Sequence, residues 1–341
     1  MRIVKVLCVL AVLLAVATYA AASGQILLNA AGATFPYPIY SKWFDLYHTS
    51  HSNVQINYQS IGSGGGIRQL LDKTVDFGAS DGPMNDDQLK QASVPILHFP
   101  TVLGAAVPSY NVPGVQGDLN FTPEALSGIF LGTVTKWNDP AITSANPGVK
   151  FPGDDIVVVH RSDGSGTTYI WTDYLSKVST AWQQKVGKAT SVKWPVDGLG
   201  GKGNEGVSAL VQQTPGSLGY VELIYAIQNK MPYGKVKNSS GAFVKADLAS
   251  VSAAAAAAAK FIPDDFRVSI TNPEGKAAYP ISSFTWLLIP SKFSDPAKRD
   301  VVKDFLKWAL TDGQQYAEGL SYAKLPKEVV AKEMKAIAQI Q

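Results

Sequence analysis

Ile156-Val157-Val158-Val159-His160-Arg161-Ser162-Asp163-Gly164-Ser165-Gly166-Thr167-Thr168-Tyr169-Ile170-Trp171 passes from a β-branched apolar run, through a Gly/Ser/Thr loop, into an amphipathic segment that continues to Leu175. The pattern predicts a strand, a tight loop and a helix. Such a loop sets hydroxyls and unpaired backbone N–H groups at the positive end of a helix dipole, where an anion is stabilised. Arg161 adds a forked cation and Asp163 a carboxylate two residues later. Alone, that pair reads equally as a positioned cation with its brace or as a surface ion pair.

Strand-like and helix-like segments alternate on either side. Ile26–Asn29, Val54–Gln59 and Val75–Ser80 have strand character, whereas Pro38–Tyr47 and Ile67–Leu71 have helical spacing. Further along, Pro123–Phe130 reads as a helix, Gly219–Glu222 as a strand, and Tyr279–Pro290 as an apolar strand-type run. The tail, Lys298–Leu310 and Lys327–Ile340, is helical, and Ala253–Ala259 reads as a plain surface helix. Repeated β–loop–α units predict an α/β fold whose ligands gather at the carboxyl ends of parallel strands. Composition leaves open whether the tail forms a third unit or returns to the first.

The ends and the composition narrow the class. Met1–Lys5 is basic, Val6–Ala17 is apolar but short, and Ala20-Ala21-Ala22 supplies small residues for cleavage, so residues 1–22 are expected to be a cleavable signal peptide. The one cysteine, Cys8, lies inside it, so the exported chain is held by its core rather than by disulfides. About 319 residues remain (341 − 22), with a formal charge near +1 once Arg2 and Lys5 are removed (3 − 2). A 17% charged content without a basic run gives no support to nucleic-acid binding. The four histidines have no metal-site spacing, and His160 beside Arg161 is expected to be structural.

Three more loops are built of small residues at strand ends. In Ala31-Gly32-Ala33-Thr34-Phe35-Pro36-Tyr37-Pro38, the prolines suit a first helical turn, and Thr34 is either a simple cap or a ligand donor beside the Phe35 N–H. Ile61-Gly62-Ser63-Gly64-Gly65-Gly66-Ile67 is either a flexible turn or a nest of N–H groups, its four glycines allowing close backbone approach and positive φ angles. Phe77-Gly78-Ala79-Ser80-Asp81-Gly82-Pro83 ends a strand on a carboxylate that caps a turn or faces a ligand. Ionised Asp only accepts hydrogen bonds, so facing an anion it demands a proton on that anion. Hydrogen phosphate carries one and sulfate carries none; sites built around a ligand hydroxyl reject analogues lacking it by roughly 10⁴–10⁵-fold.

Enzyme motifs fail. Ser63 and Ser165 lack the Gly-x-Ser-x-Gly frame, and Gly201-Lys202 is followed by Gly203 rather than Ser or Thr. Gly198-Leu199-Gly200-Gly201-Lys202-Gly203 matches Gly-x-Gly-x-x-Gly but follows Trp194-Pro195-Val196-Asp197, which is no clear strand, and reads as accidental.

Taken together, Ala31–Pro36, Ile61–Gly66, Val75–Asp81, Arg161–Thr167, Trp194–Asn204 and Gly219–Glu222 resemble the periplasmic phosphate-binding proteins of phosphate-specific ABC transporters, over essentially the whole mature chain. The resemblance implies a two-lobed periplasmic binding protein fold of type II character, each lobe a mixed sheet flanked by helices. Residues 23–102 with 278–341 would form one lobe and 103–277 the other, about a hinge. It implies inorganic phosphate as ligand, permease subunits as partners, a monomer without cofactor, metal or catalytic residue, and a periplasmic location. Carried over, the ligand residues are Ala33, Thr34, Phe35, Ser63, Asp81, Arg161, Ser165, Gly166 and Thr167, with Asp163 orienting Arg161. Gly64 stands where such proteins often have a second serine, and His160 where a basic residue is common. Sulfate or molybdate binding, and an exported phosphatase or serine hydrolase, are the competing readings.

Overall fold

The computed structural model describes residues 24–341, so the expected signal peptide lies outside the described residues. Among the described residues, eleven strands occur in chain order: β1 (Ile26–Gly32), β2 (Val54–Ser60), β3 (Phe77–Ser80), β4 (Ile96–Asn111), β5 (Asn120–Phe121), β6 (Val157–Arg161), β7 (Leu199–Gly201), β8 (Ser217–Glu222), β9 (Lys235–Lys237), β10 (Phe243–Val244) and β11 (Ser282–Pro290). The α-helices before the Gly-x-Gly-x-x-Gly segment are α1 (Tyr37–Ser50), α2 (Ser63–Leu71), α3 (Asp86–Gln91), α4 (Pro123–Leu131), α5 (Pro140–Thr143), α6 (Gly166–Val178) and α7 (Thr180–Lys185). Those after it are α8 (Gly203–Gln213), α9 (Leu223–Gln228), α10 (Leu248–Ala258), α11 (Pro296–Leu310) and α12 (Lys327–Ala336).

Eight strands form one sheet in the order β2-β1-β3-β11-β4-β8-β6-β7, and β10-β9-β5 form a small second sheet. Strand β4 organises the large one. Its residues Ile96–Ala105 pair with β11, and from Ala106 to Asn111 it pairs with β8 instead. One half thus contains parallel β1, β2 and β3 with antiparallel β11, and the other contains parallel β6, β7 and β8. Nearly all of β4 is buried, as a strand covered on both faces must be. The mixed α/β, two-lobed architecture expected from the sequence is the one observed.

The C-terminal segment returns to the first half. β11 lies between β3 and β4, Leu103 and Ala323 exchange backbone hydrogen bonds of 3.0 and 2.9 Å, and Trp43 Nε1 donates to Gly313 O at 2.8 Å. The apolar face of α1 explains the attachment. Ile39, Tyr40, Trp43, Phe44 and Tyr47 are buried at helical spacing, and Phe44 and Tyr47 meet Phe305 of α11 with ring centroids 5.4 and 5.3 Å apart.

One local expectation is narrowed and two need correction. Of the two uses expected of the glycine run, positive φ occurs only at Gly62 (85°), and Ser63 to Gly66 form the first turn of α2. Its glycines serve close approach, since a Cβ on Gly66 would lie 2.4 Å from Gly32 Cα and 2.5 Å from Ala31 O. The Gly-x-Gly-x-x-Gly segment does contain a strand, β7, held by parallel pairing with β6 and leading directly into α8. Finally, the alanine tract is not a plain surface helix, because Val251, Ala254 and Ala255 face the core.

Gly66→Ala should therefore lower stability by about 2–4 kcal/mol in urea unfolding, because both clashing partners are backbone. Gly319→Ala, with nothing within 4 Å, should stay within about 0.5 kcal/mol of the parent.

Candidate functional site

Four strand ends converge where the two halves of the sheet face each other. After β1, the segment Ala33-Thr34-Phe35 is fixed through its carbonyls. Tyr58 donates to Ala33 O at 2.7 Å, Tyr225 to Thr34 O at 2.6 Å, and Tyr322 to Phe35 O at 2.6 Å. With three consecutive carbonyls held outward by three phenols, the Phe35 N–H is left without an acceptor among the described residues, although Phe35 is fully buried. Ala33 contributes differently, since its N–H is already given to Ala79 O.

Ser63 opens α2 and is fully buried. Its Oγ accepts from Asp81 N at 3.2 Å, which leaves the hydroxyl proton to be donated elsewhere. Asp81, 1% exposed, takes the Thr285 hydroxyl on Oδ1 at 2.8 Å. No other side chain among the described residues is paired with Oδ2, although the Ser63 hydroxyl lies beside it and helps to hold the carboxylate. That oxygen lies against Gly166, where a Cβ would come within 2.5 Å of both Asp81 Oδ2 and Ser63 Oγ. Burial pushes the Asp81 carboxyl up to about 7, against the lowering effects of Thr285, Arg161 and Ser63.

Arg161 closes β6 with its side chain almost fully buried. Nε donates to Asp163 Oδ1 at 2.7 Å and Nη2 to Oδ2 at 2.5 Å, so one edge of the fork is committed to its brace. Nη1 is turned toward Thr167 Oγ1, 3.5 Å away. Burial raises the Asp163 carboxyl, but the Arg161 guanidinium outweighs it and holds the group below the usual carboxylate range. The pair is therefore a positioned cation and its orienting anion rather than a surface link.

Helix α6 then begins inside the site. Ser165 is its N-cap, accepting from Thr168 N at 3.0 Å, and its own N–H goes to Thr190 O at 2.7 Å. The N–H groups of Gly166 and Thr167 have no acceptor among the described residues, as befits the first turn of a helix. Thr34, Ser63, Asp81, Arg161, Ser165 and Thr167 are each at most 4% exposed. The halves are shut on one another, with Gly64 N donating to Gly164 O at 2.8 Å between α2 and the loop before α6.

Every residue expected at the site is brought to this junction. Sequence reading missed the three tyrosines, and it missed Asn204, which Gly203 introduces at the start of α8. Fully buried, Asn204 spans Thr34 and Thr167, with Nδ2 2.8 Å from one hydroxyl and 3.3 Å from the other. The signal available for it was the position after Gly-x-Gly-x-x-Gly, at a helix start. His160 stays structural: its ring stacks on Trp194 at 4.9 Å, and burial lowers its pKa.

Among the described residues, no cluster of His, Cys, Asp and Glu has the arrangement of a metal site. The constellation is a sealed set of hydroxyl, N–H and guanidinium donors around one carboxylate oxygen, which suits a small oxyanion bearing a proton.

A family model described as a PBP superfamily domain matches residues 16–313. Phosphate-binding protein PstS of Xylella fastidiosa (strain Temecula1) is 48% identical over 304 residues, covering 89% of this chain and 82% of the relative. PstS of Pasteurella multocida is 46% identical over 325 residues, covering 94% and 93%. Among solved structures, the phosphate-bound periplasmic phosphate-binding protein PfluDING aligns with a TM-score of 0.73 at 21% identity, covering 91% of this chain and 93% of that one. A phosphate-binding protein from Stenotrophomonas maltophilia aligns with a TM-score of 0.66 at 19% identity, covering 91% and 93%. This chain belongs to the PstS phosphate-binding protein family of the PBP superfamily.

Proposed function

We propose that the protein captures inorganic phosphate in the periplasm and delivers it to the permease of an ABC transporter. The observation that carries this reading is Asp81: a buried carboxylate with one oxygen taken by Thr285 and the other aimed into a set of donors. The Phe35, Gly166 and Thr167 N–H groups, the Thr34, Ser63, Ser165 and Thr167 hydroxyls and Arg161 Nη1 would grip the phosphate oxygens. Asp81 Oδ2 would accept the phosphate's proton. Ala33 would serve as wall and Asp163 as brace. Arg161 and Asp163 nearly cancel in charge, so dipoles and hydrogen bonds hold the anion rather than a net positive field.

Binding would proceed by closure of the two lobes, and the closed form is what the permease would recognise. The proposed lobes are 23–102 with 278–341 and 103–277; the change of partner along β4 supports a boundary there. A monomer exported through a cleaved leader fits this role. A hydrolase is disfavoured by the relatives, which are named as binding proteins, and by the site, whose hydroxyls have no imidazole partner among the described residues.

Burial changes the expected chemistry of Asp81. With its pKa raised to about 7, the carboxyl shares its time between neutral and ionised forms near neutrality, rather than being always ionised. Phosphate satisfies the ionised form with its own proton. Sulfate binds only when Asp81 holds the proton, so sulfate binding should take one up. In calorimetry, sulfate affinity should fall about tenfold per pH unit above pH 7 and level off below it, while phosphate affinity changes far less. Asp81→Asn should abolish the sulfate slope and narrow the difference between the anions; a sulfate affinity independent of pH in the parent protein would contradict the assignment.

The same shift governs stability without ligand. A carboxyl raised from 3.8 to about 7 stabilises the folded state fully below pH 4, and that contribution is lost as pH rises through 7. Buried Glu222 and Glu333 are raised as well and add the same sign. Urea midpoints of the ligand-free protein should therefore decline from pH 5 to pH 8, and Asp81→Asn should make the decline shallower.

A further inference from the structure

Asn204 holds both of its faces in fixed roles. Its Oδ1 accepts from Glu222 N at 2.9 Å, which settles the orientation of the amide and turns Nδ2 toward the two threonines. Thr34 Oγ1 receives Asn204 Nδ2 at 2.8 Å and Asn204 N at 3.2 Å. A hydroxyl has two acceptor lone pairs and one proton. Both lone pairs of Thr34 are thus filled by one residue, and its proton must be given elsewhere. Thr167 Oγ1 is filled similarly, by Asn204 Nδ2 at 3.3 Å and Arg161 Nη1 at 3.5 Å. Neither hydroxyl donates to a protein acceptor among the described residues, although both are buried (2% and 0% exposed).

Thr34 follows β1 in one half of the sheet, whereas Thr167 and Asn204 stand in the other. We propose that Asn204 is a positioning residue for the anion: by donating to both threonines at once, it turns their hydroxyls into obligate donors toward the ligand and completes the donor set only when the lobes are shut. It needs no contact with the anion itself. This rests on the phosphate-binding reading above.

Titration calorimetry with inorganic phosphate on the mature protein provides the test. Asn204→Ala should weaken binding by about ten- to a hundredfold, the worth of one or two hydrogen bonds to a charged group. In a Thr34→Val/Thr167→Val background, which has no hydroxyls to orient, the same substitution should cost less than threefold. Asn204→Asp preserves shape and the acceptor for Glu222 N, so it serves if the alanine variant does not fold. Its carboxylate would draw the threonine protons to itself, so phosphate affinity should fall further than in the alanine variant and recover as pH is lowered. An Asn204→Ala protein that binds within threefold of the parent, an equal loss in the valine background, or an Asn204→Asp protein that binds like the parent would overturn the inference. Failure of the parent protein to bind phosphate would instead sink the functional reading on which it stands.

Discussion

The cleft is governed by one constraint: buried hydrogen-bonding groups must be paired, and here the protein pairs them on one side only. The oxygens of Thr34, Ser63, Ser165 and Thr167 all accept from protein N–H groups; among the described residues the Thr34, Ser165 and Thr167 protons find no protein acceptor, and the Ser63 hydroxyl lies beside Asp81. The carbonyls of Ala33, Thr34 and Phe35 are occupied by tyrosines. What remains facing inward is a surface of donors with a single opposing acceptor, Asp81. Such a surface is costly to bury empty and is satisfied by an oxyanion. Discrimination follows from the same arrangement, because any ligand must meet the donors with lone pairs and the carboxylate with a proton.

Bringing that surface together demands unusually close backbone approach. Gly66 lies against Gly32, Gly64 against Gly164, and Gly166 against Asp81 and Ser63, so that β-carbons at these positions would collide with neighbouring groups. The donors come from both halves of a sheet that share the long strand β4. Neither half alone has a complete set: Thr34, Phe35, Ser63 and Asp81 come from one side and Arg161, Ser165, Gly166 and Thr167 from the other. In the proposed function, closure and recognition would consequently be the same event.

Much of this was legible in the sequence, for reasons that also explain what was not. Loops of small residues after apolar runs have local causes, so the ends of β1, β3 and β6, the α2 start and their polar residues could be read directly. The bidentate reach of Arg161 to Asp163 is also local, two residues apart. The glycine run could be read only as serving close approach, positive φ or both, because the partner that decides, Gly32, is 34 residues away. Tyr58, Tyr225 and Tyr322 were invisible because their acceptors are 25 to 287 residues distant. Asn204 stood directly after a motif set aside for lack of a strand, and β7 exists only through its pairing with β6. The raised pKa of Asp81 is a property of burial, which no spacing reveals.

The most direct test of the central claim is a high-resolution crystal structure of the mature protein with phosphate. One phosphate oxygen should lie within about 2.5–2.7 Å of Asp81 Oδ2, the distance of a charge-assisted O–H···O bond, with the others on Arg161 Nη1, the Gly166 and Thr167 N–H groups and the Thr34 hydroxyl. A phosphate held away from Asp81, or Asp81 Oδ2 bridged to the anion only through water, would contradict the account.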